Sequence, residues 1–154
     1  MNLRLLAVVI PALALLAGCS ESKVVKAKAD ILAADRAFNA AAQKDGPKAA
    51  FLAFVLQDGK LLGEEQLGAG GIKNRFAQLP ETATLTWEPA YVDVSGDGDL
   101  GYTWGHYTLT VPLPKYGPKP FIKRGTYVTV WRHQPSGSWK VVLDGGVADA
   151  PGSL

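Results

Sequence analysis

The stretch GDGDLGYTWGHYTLTV, Gly96 to Val111, decides the fold, because the residues after its glycines read as a strand and not as a helix. Its first six residues match the G-x-G-x-x-G string of dinucleotide-binding turns. That string binds a pyrophosphate when it follows a strand and opens a helix whose N-terminal amides point at the ligand. Here it opens onto alternating Tyr, Thr and Trp, which is strand chemistry, and Asp97 and Asp99 would repel a phosphate. A calcium-loop reading also fails. Asp93, Ser95, Asp97, Gly98 and Asp99 fit its first, third, fifth, sixth and seventh positions, but Trp104 stands where a bidentate glutamate is required. The run SGDG from Ser95 therefore predicts a hairpin turn, with positive φ at Gly96 and Gly98 and with aspartates engaging backbone amides.

Outward from this hairpin the same period continues. Thr84 to Val94, Leu100 to Pro112, Phe121 to Gln134 and Ser138 to Val147 are rich in Val, Thr, Tyr and Trp and are punctuated by Gly, Pro and Asp, which predicts four strands. Upstream the spacing changes to that of helices. Ile31, Ala34, Phe38, Ala41 and Ala42 recur at helical spacing between Asp30 and Lys44, and Asp45-Gly46 ends the run. Pro47 opens a second helix whose buried stripe is Ala50, Phe51, Phe54 and Val55. Asp58-Gly59 reads as a turn, Lys60 to Gly71 as a loop, and Ile72 to Gln78 as a short third helix before Pro80. Helices first and strands after predict an α+β domain, three N-terminal helices on one face of a mainly antiparallel sheet of four strands or more.

Both alternate sets in Leu100 to Val111 are apolar or aromatic, with Leu100, Tyr102, Trp104 and His106 in one and Tyr107, Leu109 and Val111 in the other. A sheet with two such faces is covered on both. Helices cover one, which leaves the other for a partner chain, a ligand cavity or a curled part of the sheet itself.

The N-terminus carries an address. MNLRLLAVVIPALALLAGCSES has a positive Arg4 and an apolar run from Leu5 to Ala17, as in a secretory signal, and Leu16-Ala17-Gly18-Cys19 resembles a bacterial lipobox. Cys19 is the only cysteine, so it has no disulfide partner within the chain, and lipidation would consume its thiol. The expected organisation is a cleaved signal over 1–18, a lipidated Cys19 with a tether over 19–29, a domain over 30–148 and a tail over 149–154. Ser20 after the cysteine points by resemblance to the periplasmic face of a Gram-negative outer membrane.

Composition narrows the function. With 16 basic and 14 acidic residues in 154 the chain has a formal charge of +2, which offers no field for nucleic acid. No G-x-S-x-G elbow supports serine hydrolysis, the two histidines lack metal-ligand spacing, and no cofactor or metal is called for.

The order of elements, together with Asp35-Arg36-Ala37-Phe38, Gly98-Asp99-Leu100-Gly101-Tyr102-Thr103-Trp104-Gly105, Gly125-Thr126-Tyr127, Val130-Trp131-Arg132 and Gly137-Ser138-Trp139-Lys140-Val141, resembles the nuclear-transport-factor-like superfamily and within it the uncharacterised SnoaL-like domains. The resemblance covers roughly Asp30 to Gly146. It implies a strongly curved sheet wrapped on helices into an open-ended cone, dimeric in many members through the sheet's outer face. Enzymes of that superfamily, ketosteroid isomerase among them, move protons in the cone. Their catalytic constellation has no matching motif in this chain.

Asp144, in VVLDGG, is a carboxylate near the end of an apolar strand and is the candidate base. His106 is the second acid–base candidate. Tyr102, Trp104, Tyr127 and Trp131 are candidates to line a flat-ligand pocket, or alternatively to form core or dimer interface. Asp35, within a helix, caps or pairs locally or else points to the sheet. Three functions fit these residues: a domain that binds a small hydrophobic or aromatic molecule, an isomerase, dehydratase or cyclase using Asp144 or His106 with a tyrosine donor, and a structural dimer without a ligand.

Overall fold

The computed structural model describes the backbone of residues 14–150 and side chains from residue 22 onward, Tyr116 excepted. The expected signal over 1–18 lies outside these residues as far as 13, and the last four residues of the expected tail lie outside them too. The elements are α1 (Ala14–Asp45), α2 (Pro47–Phe54), β1 (Val55–Leu61), α3 (Gly68–Arg75), β2 (Thr84–Val94), β3 (Leu100–Val111), a 3-10 turn (Pro114–Tyr116), β4 (Phe121–His133) and β5 (Trp139–Ala148). The fold is α+β, and the four expected strands stand within a residue or so of their expected limits.

Three expectations about the elements are corrected. The sheet has five strands in the order β1-β5-β4-β3-β2, and β1 runs parallel to β5, so the sheet is mixed. β1 is hidden in the sequence because Asp58-Gly59 carries turn chemistry. In the strand Gly59 serves close approach instead, since a Cβ there would sit 2.6 Å from Val55 Cγ1 and 3.0 Å from the Val141 carbonyl. Second, the expected tether over 19–29 is helical and continuous with the rest of α1. Its apolar positions extend the stripe of Ile31 and Phe38 back to Ala27, which is buried, and Lys28 Nζ reaches Asp93 Oδ1 at 2.9 Å. α3 also starts earlier than Ile72. Glycine weakens a helix intrinsically, but packing of α3 on β1 and α2 overrides it.

At the deciding stretch, Ser95 N–H donates to the Leu100 carbonyl at 2.7 Å and Gly98 N–H to the Ser95 carbonyl at 2.9 Å. Gly98 has φ +71°, whereas Gly96 does not need positive φ. Ser95 Oγ accepts from the Asp99 amide at 3.4 Å and donates to Asp99 Oδ1 at 2.9 Å.

The inner face of the sheet meets α1, and the core gathers on Phe38. The rings of Phe51, Phe54 and Trp87 each lie 4.8 Å from it, centroid to centroid, and that of Trp131 lies 6.1 Å away edge-on. Such pairs add about 0.5–1.5 kcal/mol each beyond the area they bury. The outer face carries Tyr91, Tyr102 and Trp104, all exposed. Irregular register between Pro89 and Tyr91, Val130 and Trp131, and Val55 and Lys60 breaks the ladders, as bulges do where a sheet bends.

Candidate functional site

Between the inner face and the helices lies a cavity of about 250 Å³. Phe38 from α1, Phe51 from α2, Phe76 beyond α3 and Trp87 from β2 make its apolar wall. Its polar groups are Tyr107, Tyr127, Thr129 and Asp144 from β3, β4 and β5. Arg75, Lys123 and Gly146 are the exposed members of the lining and mark its mouth.

Strand register explains the convergence. Thr129 pairs with Asp144 and Tyr127 with Gly146 across β4 and β5, so alternate residues bring these side chains to one face. Thr129 Oγ1 donates to Asp144 Oδ2 at 2.6 Å. Burial pushes the Asp144 carboxyl up to about 6, opposed by the Thr129 hydrogen bond, reinforced by the nearby charge of Asp35 and opposed again by Arg75. A carboxyl of that kind exchanges its proton close to neutral pH.

Behind Tyr127 sits Asp35, wholly buried. Tyr127 Oη donates to Asp35 Oδ2 at 3.1 Å, Trp87 Nε1 donates to Asp35 Oδ1, and Thr103 supplies a third side-chain hydrogen bond. Thr103 Oγ1 in turn accepts from Trp131 Nε1 at 3.0 Å. Burial raises the Asp35 carboxyl above its ordinary range, against the pull of these donors, and burial together with Asp35 holds Tyr127 far above the usual phenol range. Tyr127 therefore stays a neutral phenol whose proton is engaged by Asp35. Tyr107, raised mainly by burial and then by Asp149, lies flat over two glycines: a Cβ at Gly125 would come within 2.6 Å of its ring, and one at Gly146 within 3.1 Å.

The candidates read from sequence thus separate. Asp144 and Tyr127 line the cavity, and Trp131 is fully buried beside Phe38 without lining it. His106, Tyr102 and Trp104 lie on the outer face, the alternate set opposite Thr103 and Tyr107, so they do not line the cavity. A joint role for Asp144 and His106 is excluded by this geometry, because the two project from opposite faces of the sheet. His106 instead stacks edge-on with Trp104 at 6.1 Å. Arg75, Lys123 and Thr129 are absent from the candidates read from sequence. For Thr129 and Lys123 a signal exists, since both share the parity of Tyr127 along β4. Arg75, on a helix whose limits differ from those expected, has none.

Among the described residues no group of three or more His, Cys, Asp or Glu could hold a metal ion, and no helix is long and apolar enough to cross a membrane.

No protein-family model matches this sequence, and no curated protein matches it. Solved structures do match. A ketosteroid isomerase-like protein from Erwinia carotovora atroseptica aligns at TM-score 0.63 and 21% identity over 80% of this chain and 97% of its own. A nuclear transport factor 2-like superfamily protein from Salmonella enterica serovar Typhimurium aligns at TM-score 0.64 and 14% identity over 84% and 96%. One with a cystatin-like fold from Novosphingobium aromaticivorans aligns at TM-score 0.63 and 16% identity over 94% and 93%. The chain has the nuclear-transport-factor-2-like fold. At these identities the likeness is one of fold, and function has to be argued from the cavity.

Proposed function

We propose that this chain is a SnoaL-like ligand-binding domain that takes a flat, largely apolar or aromatic small molecule into its cavity. The observation that carries the reading is the combination inside one cavity of about 250 Å³ of four aromatic walls with a single acid–hydroxyl pair, Asp144 and Thr129. Small-molecule sites are mostly apolar with a few placed polar groups of this kind. The test is a thermal-shift screen of the chain against small aromatic and polycyclic compounds, because a ligand that binds the native state raises its melting temperature. Saturable shifts support the reading, and their absence across the screen contradicts it.

A second reading, a proton-transfer enzyme, is favoured by one further observation. Asp144, poised near 6, shares the cavity with the Tyr107 hydroxyl, so a base and a hydrogen-bond donor face the same space. Such an enzyme would exchange the α-protons of a flat unsaturated ketone in heavy water, and Asp144→Asn would abolish the exchange while binding survives.

The same proposal places the domain at the periplasmic face of the outer membrane, anchored through lipidated Cys19, and pairs two copies through the exposed Tyr91, Tyr102 and Trp104 face. α1 approaches the sheet at its hairpin end, where Lys28 meets Asp93, whereas Lys123 and Leu109 stand near the other end. An anchor at Cys19 would then leave the cavity mouth facing away from the membrane, toward ligands in water. Labelling of the chain by radioactive palmitate, lost in Cys19→Ala, tests the anchor.

A further inference from the structure

Lys123 occupies an odd place for a lysine. It belongs to the inward-facing alternate set of β4, with Gly125, Tyr127, Thr129 and Trp131, and pairs with Leu109 on β3. Inward lysines protect exposed sheet edges from pairing with other chains, and Lys123 stands at a short local edge: β3 pairs with it through Leu109, whereas the pairing of β4 with β5 begins at Gly125, and this edge is also the mouth of the cavity. Lys123 does not neutralise an acid. Among the described residues no carboxylate pairs with it, and it makes no hydrogen bond there.

Arg75 stands at the same mouth from another element. Its Nε donates to Glu64 Oε1 at 3.0 Å and its Nη2 donates to the Leu62 carbonyl, which fixes the guanidinium and leaves Nη1 uncommitted. Its charge is felt inside the cavity, where it opposes the upward shifts of both Asp144 and Tyr107. The lining therefore has an electrical order: Arg75, ion-paired with Glu64, and the unpaired Lys123 at the rim, aromatic rings behind them, and an acid at the inner wall.

We infer that Arg75 and Lys123 are specificity-determining residues and that the ligand of this cavity is a flat apolar carboxylic acid, its carboxylate held at the mouth between these two cations. The inference rests on the cavity being a ligand site, as proposed above. The orientation follows from charge. An anionic head is repelled by Asp144 and attracted by Arg75 and Lys123, so it stays at the rim while the rings pack against Phe38, Phe51, Phe76 and Trp87. A hydroxyl or carbonyl at the far end of the ligand meets Asp144 and Thr129, which can donate or accept according to the protonation of Asp144.

The experiment is a calorimetric titration of the full chain at low salt with a hydroxynaphthoic acid and, separately, with its neutral carboxamide. The two probes share rings and hydroxyl and differ in the charge of the head. The acid is expected to bind about tenfold or more tightly than the amide, consistent with a charge-assisted contact. That preference should fall several-fold in Lys123→Gln, return in Lys123→Arg and shrink as salt is added. Lys123 is exposed and unpaired, so these substitutions leave folding intact. Equal binding of acid and amide, or a preference undiminished in Lys123→Gln, overturns the inference and leaves the cavity reading standing. Failure of both probes to bind counts against the cavity reading and the inference together.

Discussion

Thr129 and Asp144 face each other across the β4–β5 ladder, and the threonine hydroxyl donates to the carboxylate at 2.6 Å at the wall of the cavity. This is the hydrogen bond that makes an acid tolerable in an otherwise apolar cavity, and it does so incompletely, since the carboxyl still rises to about 6.

Stability should therefore depend on pH in a stated direction. The folded chain holds the Asp144 proton up to about 6, whereas the unfolded chain releases it near 3.8. Between those values the native state binds more protons, so the Asp144 contribution to stability falls as pH rises through the window and stays at its lowest above it. Asp144→Asn removes the ionisable group while keeping an acceptor for Thr129. The variant should be more stable than the parent at about pH 8, by about 3 kcal/mol, and should lose that advantage at about pH 4. Urea denaturation at the two pH values checks it.

Asp35 plays the opposite part. Three side chains, Trp87, Tyr127 and Thr103, hydrogen-bond to it in the core. Asp35→Ala strands those donors and should cost about 3–5 kcal/mol, whereas Asp35→Asn, which keeps an acceptor, should cost less. Tyr127→Phe removes only one donor and should cost about 1–3 kcal/mol. Thermal denaturation should rank the variants in that order.

A Cβ at Gly125 would come within 2.1 Å of the Val147 carbonyl on β5 and within 2.6 Å of the Tyr107 ring. Gly125→Ala should therefore force the β4 and β5 backbones apart as well as push the ring off the sheet, at a cost of about 3 kcal/mol or more, the upper end of overpacking. It should also weaken any ligand that depends on the Tyr107 hydroxyl. Comparing ligand affinity in Gly125→Ala and Tyr107→Phe separates the two effects, with both expected to fall if the hydroxyl is used.

The outer face should behave independently of the cavity. Trp104→Glu places a charge in the exposed Tyr91, Tyr102 and Trp104 patch without touching the cavity lining. On the proposed pairing of two copies through this face, it should lower the dimer fraction in sedimentation equilibrium, with ligand affinity within about twofold of the parent, as expected of sites that share no partners.

The parts of this fold that are legible in sequence are those with a local signature. The hairpin at Gly98, the four C-terminal strands and the helical stripe through Ile31 and Phe38 each carry a period or a turn signal of their own. β1 carries none, because a parallel pairing with β5 joins Val55 to Val141 across the length of the domain, and Asp58-Gly59 signals a turn in the opposite sense. The start of α1 is obscured because lysines between Ser20 and Lys28 look like a tether when the hairpin they pack on is not yet known. At the site, composition could not tell which face of β3 is inside. Tyr102, Trp104 and His106 are as aromatic as Tyr107 and Tyr127, and only the register with α1 and β2 turns the first set outward.

The measurement that most directly tests the central claim is the thermal-shift screen repeated on Leu109→Trp, which sets a larger ring across the cavity. Leu109 lines the cavity and is only half-buried, so the change spares the core. A compound that raises the melting temperature of the parent saturably, and fails to do so in Leu109→Trp, is the predicted result. A shift that persists unchanged in Leu109→Trp, or no shift in the parent from any flat aromatic compound, would contradict a ligand-binding cavity.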